Sequence, residues 1–336
     1  MRVALRWTRN IALVLLALLV LAAIVVARLW QDRAEVSDIG WPTATPARDT
    51  SAAVTVTWLG ISTLLFDDGD TQILIDGTFT RLHPTDITPL QTISSDVPTI
   101  NYALSKYRID RLAAIVPAHS HFDHAMDIGY IANRTSAVIL GSQSTANIAK
   151  GADVPVDQYQ TLADGETRQF GNFTITLLAS RHAPIGTDDE AWFPGTIDTP
   201  LRQPAHVSAW REGVTWSILI GHPRGTTLIN GSAGFIAGKL QGVSADVAIL
   251  GIAGLAGLGN EYVEEFWRET VTATDVKRLI VVHFDDFTAP FGEVILFPKL
   301  ADDVIKTVGW INEIMAGEEG DRSIELPPFG LPIELY

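Results

Sequence analysis

AHSHFDHAMD, residues 118–127, places three histidines and an aspartate within six positions, directly after an apolar run. His119 and His121 are separated by one residue, so in an extended segment both imidazoles point to the same side. Asp123 and His124 follow at the point where a helix can begin. Neutral imidazoles and a carboxylate are ligands of divalent cations, and without a cation they would crowd polar groups together at the mouth of a sheet. The stretch therefore predicts a metal site, and the alternative is a histidine-rich surface loop without a ligand.

The composition limits the class of protein and the chemistry of the site. With 336 residues and 47% hydrophobic content, the chain can bury a large core in one big domain or two small ones. A formal net charge of -15 repels polyanions, so we expect no nucleic-acid partner. The sequence contains no cysteine, which excludes disulfides and thiolate ligands. Any metal must therefore be held by histidines and carboxylates.

The N-terminal region has the features of a membrane anchor. Seventeen consecutive apolar residues, Ile11–Ala27, reach the short end of a bilayer span, and Trp7 and Trp30 flank them where aromatic rings favour the headgroup region. The basic residues that precede the run are Arg2, Arg6 and Arg9. This positive-inside bias predicts a single-pass protein whose catalytic part is extracytoplasmic, either periplasmic or extracellular. The alternative is a cleaved signal peptide, with Val25 and Ala27 as small residues before the cut, and a secreted product.

The rest of the chain divides into a linker and a folded domain. Residues 31–52 lose hydrophobic periodicity and contain Pro42 and Pro46 among several charges, which predicts a linker after an anchor over residues 1–30. The alternative for this segment is an ordered N-terminal strap. From residue 53 to 336, strands come first and then alternate with helices, which predicts two sheets packed face to face with helices outside. Residues 77–98 lack a clear pattern and predict a lid or substrate wall, and residues 207–211 predict a strand.

Three further polar residues follow apolar runs. They are Asp76, His182 and His283, each at the end of a predicted strand. Groups at strand ends gather on one rim of a sheet sandwich, so residues distant in sequence can converge on one site. A lone histidine is ordinarily a hydrogen-bonded structural residue, but next to the 119–124 motif we expect His182 and His283 to be metal ligands.

The HSHFDH motif resembles the metal signature of the metallo-beta-lactamase superfamily, and the resemblance extends from about Val54 over most of the chain. It implies a four-layer αββα sandwich, an α/β fold, following the N-terminal transmembrane helix. The segment WLGISTLLFDDGDTQILIDGTF, residues 58–79, looks like the branch of N-acyl-phosphatidylethanolamine-hydrolysing phospholipase D and ascorbate-phosphate lactonase. Relatives of that branch often carry a histidine at the position of Ile61, which makes transfer of either specific activity doubtful.

The resemblance also implies the roles of the site residues. The residues that match the first metal site are His119, His121 and His182, and those that match the second are Asp123, His124 and His283. Asp76 matches an aspartate that supports the metal loop from behind. Ser232 stands where relatives carry an aspartate that bridges two metals, so we expect weak or absent occupancy of the second site unless Asp285 or Asp286 compensates.

These features predict hydrolysis by a metal-activated hydroxide that attacks an ester, lactone or phosphodiester. The expected catalytic residues are Asp123, which orients water or shuttles a proton, and the ligands His119 and His121. The expected cofactor is one or two Zn²⁺ ions, with Mn²⁺ or Fe²⁺ as alternatives. The expected partners are the membrane, through the N-terminal helix, and a small-molecule or lipid-like substrate. The alternative function is a catalytically degenerate metal-binding or scaffold module at the membrane.

Overall fold

The computed structural model of the chain describes residues 2–48, 53–88, 90–318 and 320–336. Within these ranges two seven-stranded sheets pack face to face, and a short two-stranded ladder lies apart from them. The strands are β1 Thr55–Trp58, β2 Leu64–Asp67, β3 Gln72–Ile75, β4 Thr92–Ile93, β5 Leu112–Val116, β6 Val138–Gly141, β7 Tyr159–Thr161, β8 Thr167–Phe170, β9 Phe173–Ser180, β10 Ala205–His206, β11 Thr215–His222, β12 Gly225–Asn230, β13 Val247–Gly251, β14 Arg278–Val282, β15 Ser323–Glu325 and β16 Pro332–Glu334. The helices are α1 Arg2–Gln31, α2 Val97–Lys106, α3 Phe122–Ala125, α4 Ile128–Thr135, α5 Gln143–Gly151, α6 Leu255–Leu258, α7 Asn260–Trp267 and α8 Val304–Gly317.

The strand directions bring the ends of distant strands to one rim. The first sheet has the order β16-β1-β2-β3-β5-β6-β7, in which β3 and β5 are parallel. The second has the order β15-β14-β13-β12-β11-β9-β8, in which β12, β13 and β14 are parallel. Because β11 is antiparallel to both β9 and β12, β9 runs in the same direction as β12. The carboxyl ends of β3, β5, β9, β12 and β14 are the places where the predicted site residues follow.

Two buried clusters hold the layers together. One fills the space between the sheets, with large side chains such as Trp58, Phe66 and Phe173, and extends to Phe266 and Val308 on the outer helices α7 and α8. The other joins the outer face of the first sheet to helices α2, α4 and α5. Burial of apolar surface on this scale, at about 25 cal/mol per Å², is the main stabilising term of the fold. The predicted four-layer αββα sandwich is confirmed.

The segment predicted as a linker is an ordered strap over the part that the structure describes, and residues 49–52 of that prediction lie outside the described residues. Ala44 N–H donates to Leu326 O (2.8 Å) and Ala47 N–H donates to Pro332 O (2.8 Å). Ile39 is buried in the core between the sheets. The described part of this segment matches the alternative, an ordered strap, because backbone hydrogen bonds to the C-terminal strands and a few apolar contacts order a stretch whose composition alone resembles a linker.

Two other local predictions have different outcomes. Residues 207–211 are not a strand: after the two-residue strand β10, a short 3-10 turn covers Val207–Ala209. Residues 77–88 and 90–98 are largely irregular, and Pro84 and Ile87 border the cavity described below.

Helix α1 contains one stretch, Asn10–Gln31, that is long and apolar enough to cross a membrane, with a mean hydropathy of 3.0.

Candidate metal centre

Five of the eight histidines of the sequence meet at the rim where the strands end. The other three are elsewhere: His206 lies beside Gln91 O (2.9 Å), His222 lies near Asp68, and His83 contacts Thr85. The five are His119, His121, His124, His182 and His283. The selection made from the sequence is therefore the one that the fold brings together.

The first group of potential ligands is His119, His121 and His182. Their coordinating nitrogens all lie within 4.8 Å of one another. His119 Nε2 and His121 Nδ1 are 2.8 Å apart, and the ring of His182 stands 4.7 Å from that of His119. A zinc–nitrogen bond of about 2.0–2.1 Å requires ligand atoms to lie about this close together. The three rings come from β5 and β9, so two sheets fix their relative position.

Electrostatics favours neutral imidazoles in this group. Burial lowers the pKa of His121 to about 3, with a further lowering by His182. Burial, followed by the neighbouring histidines, also lowers the pKa of His119, and burial lowers that of His182. At neutral pH all three rings therefore keep a free lone pair, which is the form that ligates a cation. His182 Nδ1 lies 2.7 Å from Ala183 O, so its proton is held there and Nε2 is left for a ligand. This set of donors fits a divalent metal.

A second group forms around Asp123. Its Oδ2 lies 3.6 Å from His124 Nε2 and 3.5 Å from His283 Nε2. His119, Asp123 and His124 form another cluster of ligand atoms within 4.8 Å. Burial alone would raise the pKa of Asp123, but His124 and His283 outweigh it and hold the pKa well below its usual range. The structure thus brings all six predicted ligands to one place, in two overlapping groups.

Asp76 supports this loop from behind. It follows β3 with a left-handed φ of 58° and is fully buried. One carboxylate oxygen accepts Ala118 N–H (2.7 Å), and the other lies 2.9 Å from His124 Nδ1. Burial lowers the pKa of His124, but Asp76 and Asp123 outweigh it and raise the pKa. Asp76 therefore fixes the proton of His124 on Nδ1 and directs Nε2 towards Asp123.

Ser232 lies at the end of β12 and is buried. Its Oγ is 2.8 Å from His119 Nδ1, so the hydroxyl contacts a ligand ring instead of bringing a charge to the site. Ala233 beside it has a left-handed φ of 53°. The hydroxyl of Ser232 therefore brings no anionic oxygen to the second group.

The two aspartates named as the alternative source of a carboxylate ligand, Asp285 and Asp286, have other partners. Asp285 accepts Ile61 N–H at both carboxylate oxygens (2.9 and 3.0 Å), and Ile61 O in turn accepts His283 N–H (2.9 Å). Asp286 pairs with Arg33 (2.8 Å) and accepts Thr288 N–H. Both carboxylates are held by backbone or cationic donors, an arrangement that favours the expected weak second site over compensation. Ile61, a β-branched residue with a left-handed φ of 54°, instead positions His283 through its backbone.

A cavity of about 490 Å³ opens above the ligands. Its floor includes His121, Asp123, His182, Ser232 and His283. Most of its wall is apolar or aromatic: Trp30, Ile87, Phe122, Pro184, Ile185, Trp192, Phe193, Leu258, Phe287 and Phe297. This combination of apolar walls and a few convergent polar groups is typical of a small-molecule site.

Sequence reasoning missed three residues around this site. Trp30 had been assigned to the membrane interface and also lines the cavity. Asp302 lines it too; it accepts Gly254 N–H (2.8 Å), and burial raises its pKa to about 6. Asp127 holds Phe79 N–H (2.9 Å) and fixes the end of the metal loop against the residues after β3. The signal for Asp127 was present, since it lies within the motif itself, whereas Asp302 precedes a helix and resembles an ordinary cap.

Comparison with known proteins assigns the family. The model of the metallo-beta-lactamase superfamily matches residues 56–235, more than half of the chain. The chain belongs to the metallo-beta-lactamase superfamily. A superfamily relative, the UPF0173 metal-dependent hydrolase of Heliobacterium modesticaldum, is 26% identical over 253 residues, which cover 74% of this chain and 90% of that protein.

Solved structures agree with this fold. The chain resembles a possible metal-dependent hydrolase from Veillonella parvula, with a TM-score of 0.50, 17% identity and coverage of 84% of this chain and 100% of that one. It also resembles CmlA, a diiron beta-hydroxylase from Streptomyces venezuelae, with a TM-score of 0.51, 11% identity and coverage of 84% and 54%. At these identities the likeness shows the metallo-beta-lactamase fold alone.

Proposed function

We propose that this protein is a metal-dependent hydrolase that is anchored in a membrane by α1 and acts outside the cytoplasm on an ester, lactone or phosphodiester. The observation that carries the proposal is the trio His119, His121 and His182, two buried imidazoles and one partly buried imidazole, all held neutral, whose ligand atoms lie within 4.8 Å of one another. The printed name of the Heliobacterium modesticaldum relative, a metal-dependent hydrolase, supports the same reaction class.

The residues of the chain have separate tasks in this proposal. His119, His121 and His182 would hold a first divalent cation, and Asp123, His124 and His283 would hold a second, weaker one. A bound Zn²⁺, Mn²⁺ or Fe²⁺ lowers the pKa of water and stabilises negative charge that develops on the substrate. The carboxylate of Asp123, on the cavity floor, orients the attacking water and accepts a proton from it.

The membrane anchor is supported by two features of α1. The stretch Asn10–Gln31 has 22 residues, enough to span the hydrocarbon core, and its side chains are exposed except that of Trp30, which is partly buried. The sequence also places a tryptophan near each end, Trp7 and Trp30, with basic residues on the N-terminal side. A fusion of a periplasmic alkaline phosphatase reporter to the C-terminus tests the orientation: we expect phosphatase activity, and an inactive fusion would reject an extracytoplasmic domain.

A panel of chromogenic substrates tests the reaction class. The purified chain would be assayed with added Zn²⁺ or Mn²⁺ on two esters, a phosphodiester and a lactone. These substrates are 4-nitrophenyl acetate, 4-nitrophenyl dodecanoate, bis(4-nitrophenyl) phosphate and dihydrocoumarin. We expect hydrolysis that a chelator abolishes and that His119→Ala removes, whereas His206→Ala retains it because His206 lies outside the site. Hydrolysis that persists in His119→Ala without metal would reject the mechanism. Metal binding without any hydrolysis would favour the metal-binding or scaffold module.

A further inference from the structure

The end of the proposed anchor forms part of the metal cavity. Trp30, in the last turn of α1, is partly buried and lines the cavity together with His121, His182 and His283. Trp7, near the other end of the same helix, is 68% exposed. The two tryptophans that flank the apolar stretch are therefore not equivalent, because one of them faces the site.

Hydrogen bonds and ion pairs join the residues directly after α1 to the segment that follows His283. Asp32 O accepts Lys299 N–H (2.9 Å), and its carboxylate pairs with Lys299 Nζ (3.2 Å). Arg33 Nη1 donates to Asp286 (2.8 Å) and to Leu296 O (2.9 Å). Asp286 lies three residues after His283 in the sequence. The anchor and the cavity mouth therefore keep a constant separation, and a membrane that holds α1 lies beside the mouth.

The cavity has the polarity of a site for an amphiphile. It is lined by polar ligand groups, among them His121, Asp123 and His283, and by apolar side chains such as Phe287 and Phe297. Around it, Trp192 is 50% exposed and Leu300, next to the lining residue Ala301, is 58% exposed. The volume of about 490 Å³ lies within the range of about 300–1,000 Å³ that small-molecule ligands occupy.

On the basis of the proposed function, we propose that Trp30 is a specificity-determining residue: it contacts the apolar chain of an amphiphilic substrate, which enters the metal cavity from the membrane surface. The head of the substrate, with the bond to be hydrolysed, lies on the polar floor. The chain extends past Trp30 towards the bilayer, where the indole ring is at its preferred depth.

Chain-length dependence tests the role of Trp30. The full chain in phosphatidylcholine vesicles would be assayed with 4-nitrophenyl acetate and 4-nitrophenyl dodecanoate. Trp30→Ala should lower kcat/KM for the dodecanoate about tenfold more than for the acetate, as expected for lost contact with about two methylene groups. The matched control Trp7→Ala, which changes the other flanking tryptophan, should keep the wild-type ratio. The proposal would be overturned if Trp30→Ala left the ratio of kcat/KM for the two esters unchanged, whether both values fell equally or neither fell.

A second measurement is independent of activity and separates the two proposals. Metal-free protein in vesicles that contain phosphatidylcholine with a diazirine on its acyl chain would be photolysed, and the labelled residues mapped by mass spectrometry. We expect label on the cavity wall, at Ile87, Trp192 or Phe287, as well as on α1, and a reduced wall label in Trp30→Ala. Label confined to residues 11–29 would reject entry from the bilayer. Wall labelling without hydrolysis of any ester would keep this inference and reject the ester reaction.

Discussion

The Asp76→Asn substitution tests how the metal loop is held. Asparagine accepts the left-handed φ of 58° at this position, so the backbone is not strained by the change. In the wild type, the carboxylate of Asp76 accepts a hydrogen bond from Ala118 N–H (2.7 Å) and lies 2.9 Å from His124 Nδ1. An amide offers one acceptor and one donor. If its oxygen accepts the hydrogen bond from Ala118 N–H, its NH₂ group faces His124 Nδ1 and favours the tautomer with the imidazole proton on Nε2, the nitrogen that faces Asp123.

The magnitude follows from these two contacts. Loss of one buried charge-assisted hydrogen bond lowers the free energy of unfolding by about 1.5–3 kcal/mol. Loss of an outer partner of a ligand histidine weakens metal binding by about 10–100-fold, or about 1.4–2.7 kcal/mol. Urea unfolding of the metal-free protein and competition for Zn²⁺ with a chromogenic chelator measure the two effects. Asp70→Asn is the matched control, since Asp70 is exposed in the hairpin between β2 and β3. Wild-type Zn²⁺ affinity in Asp76→Asn would refute the reasoning.

Three other changes have predictable outcomes. Ser232→Asp should add the missing anionic oxygen and raise bound metal towards two equivalents after dialysis, and unchanged stoichiometry would contradict this. Burial raises the pKa of Asp302 to about 6 in the folded protein, against 3.8 for an exposed aspartate, so the unfolded chain binds fewer protons between these values. Stability should therefore fall by up to about 3 kcal/mol as pH rises from about 4 to 6, and urea titrations should show a flatter profile in Asp302→Asn. Arg33→Ala leaves the buried Asp286 without its cation and should lower the free energy of unfolding by about 2 kcal/mol, so an unchanged urea midpoint would contradict a structural role for this pair.

The sequence was most informative where chemistry and pattern coincide. HSHFDH, with histidines at two further strand ends, identified the rim because few other arrangements place so many ligand groups after buried strands. The parallel ends of β3 and β5 and of β12 and β14 then bring Asp76, Ser232 and His283 together, as expected for such sheets.

The residues that escaped prediction depend on tertiary contacts between distant segments. The strap over residues 32–48 is ordered by hydrogen bonds to residues near 326 and 332, which composition cannot show. Asp285 and Asp286 follow His283 closely in the sequence, which suggests metal ligands. In the fold, Asp285 accepts Ile61 N–H and Asp286 pairs with Arg33, residues that lie 224 and 253 positions away in the sequence. Trp30 was recognised only as an interface residue, since nothing in a sequence tells which loop a helix end will meet.

Equilibrium dialysis tests the central claim, that the rim histidines form one metal site. Zn²⁺ binding would be measured for the purified wild-type protein, His182→Ala and His206→Ala. We expect the wild type and His206→Ala to retain at least one tightly bound equivalent per chain, because His206 lies outside the cluster. We expect His182→Ala to lose it, since a ligand from β9 is needed to complete the trio. A wild-type protein that binds no Zn²⁺, Mn²⁺ or Fe²⁺, or a His182→Ala variant that binds as tightly as the wild type, would contradict the account.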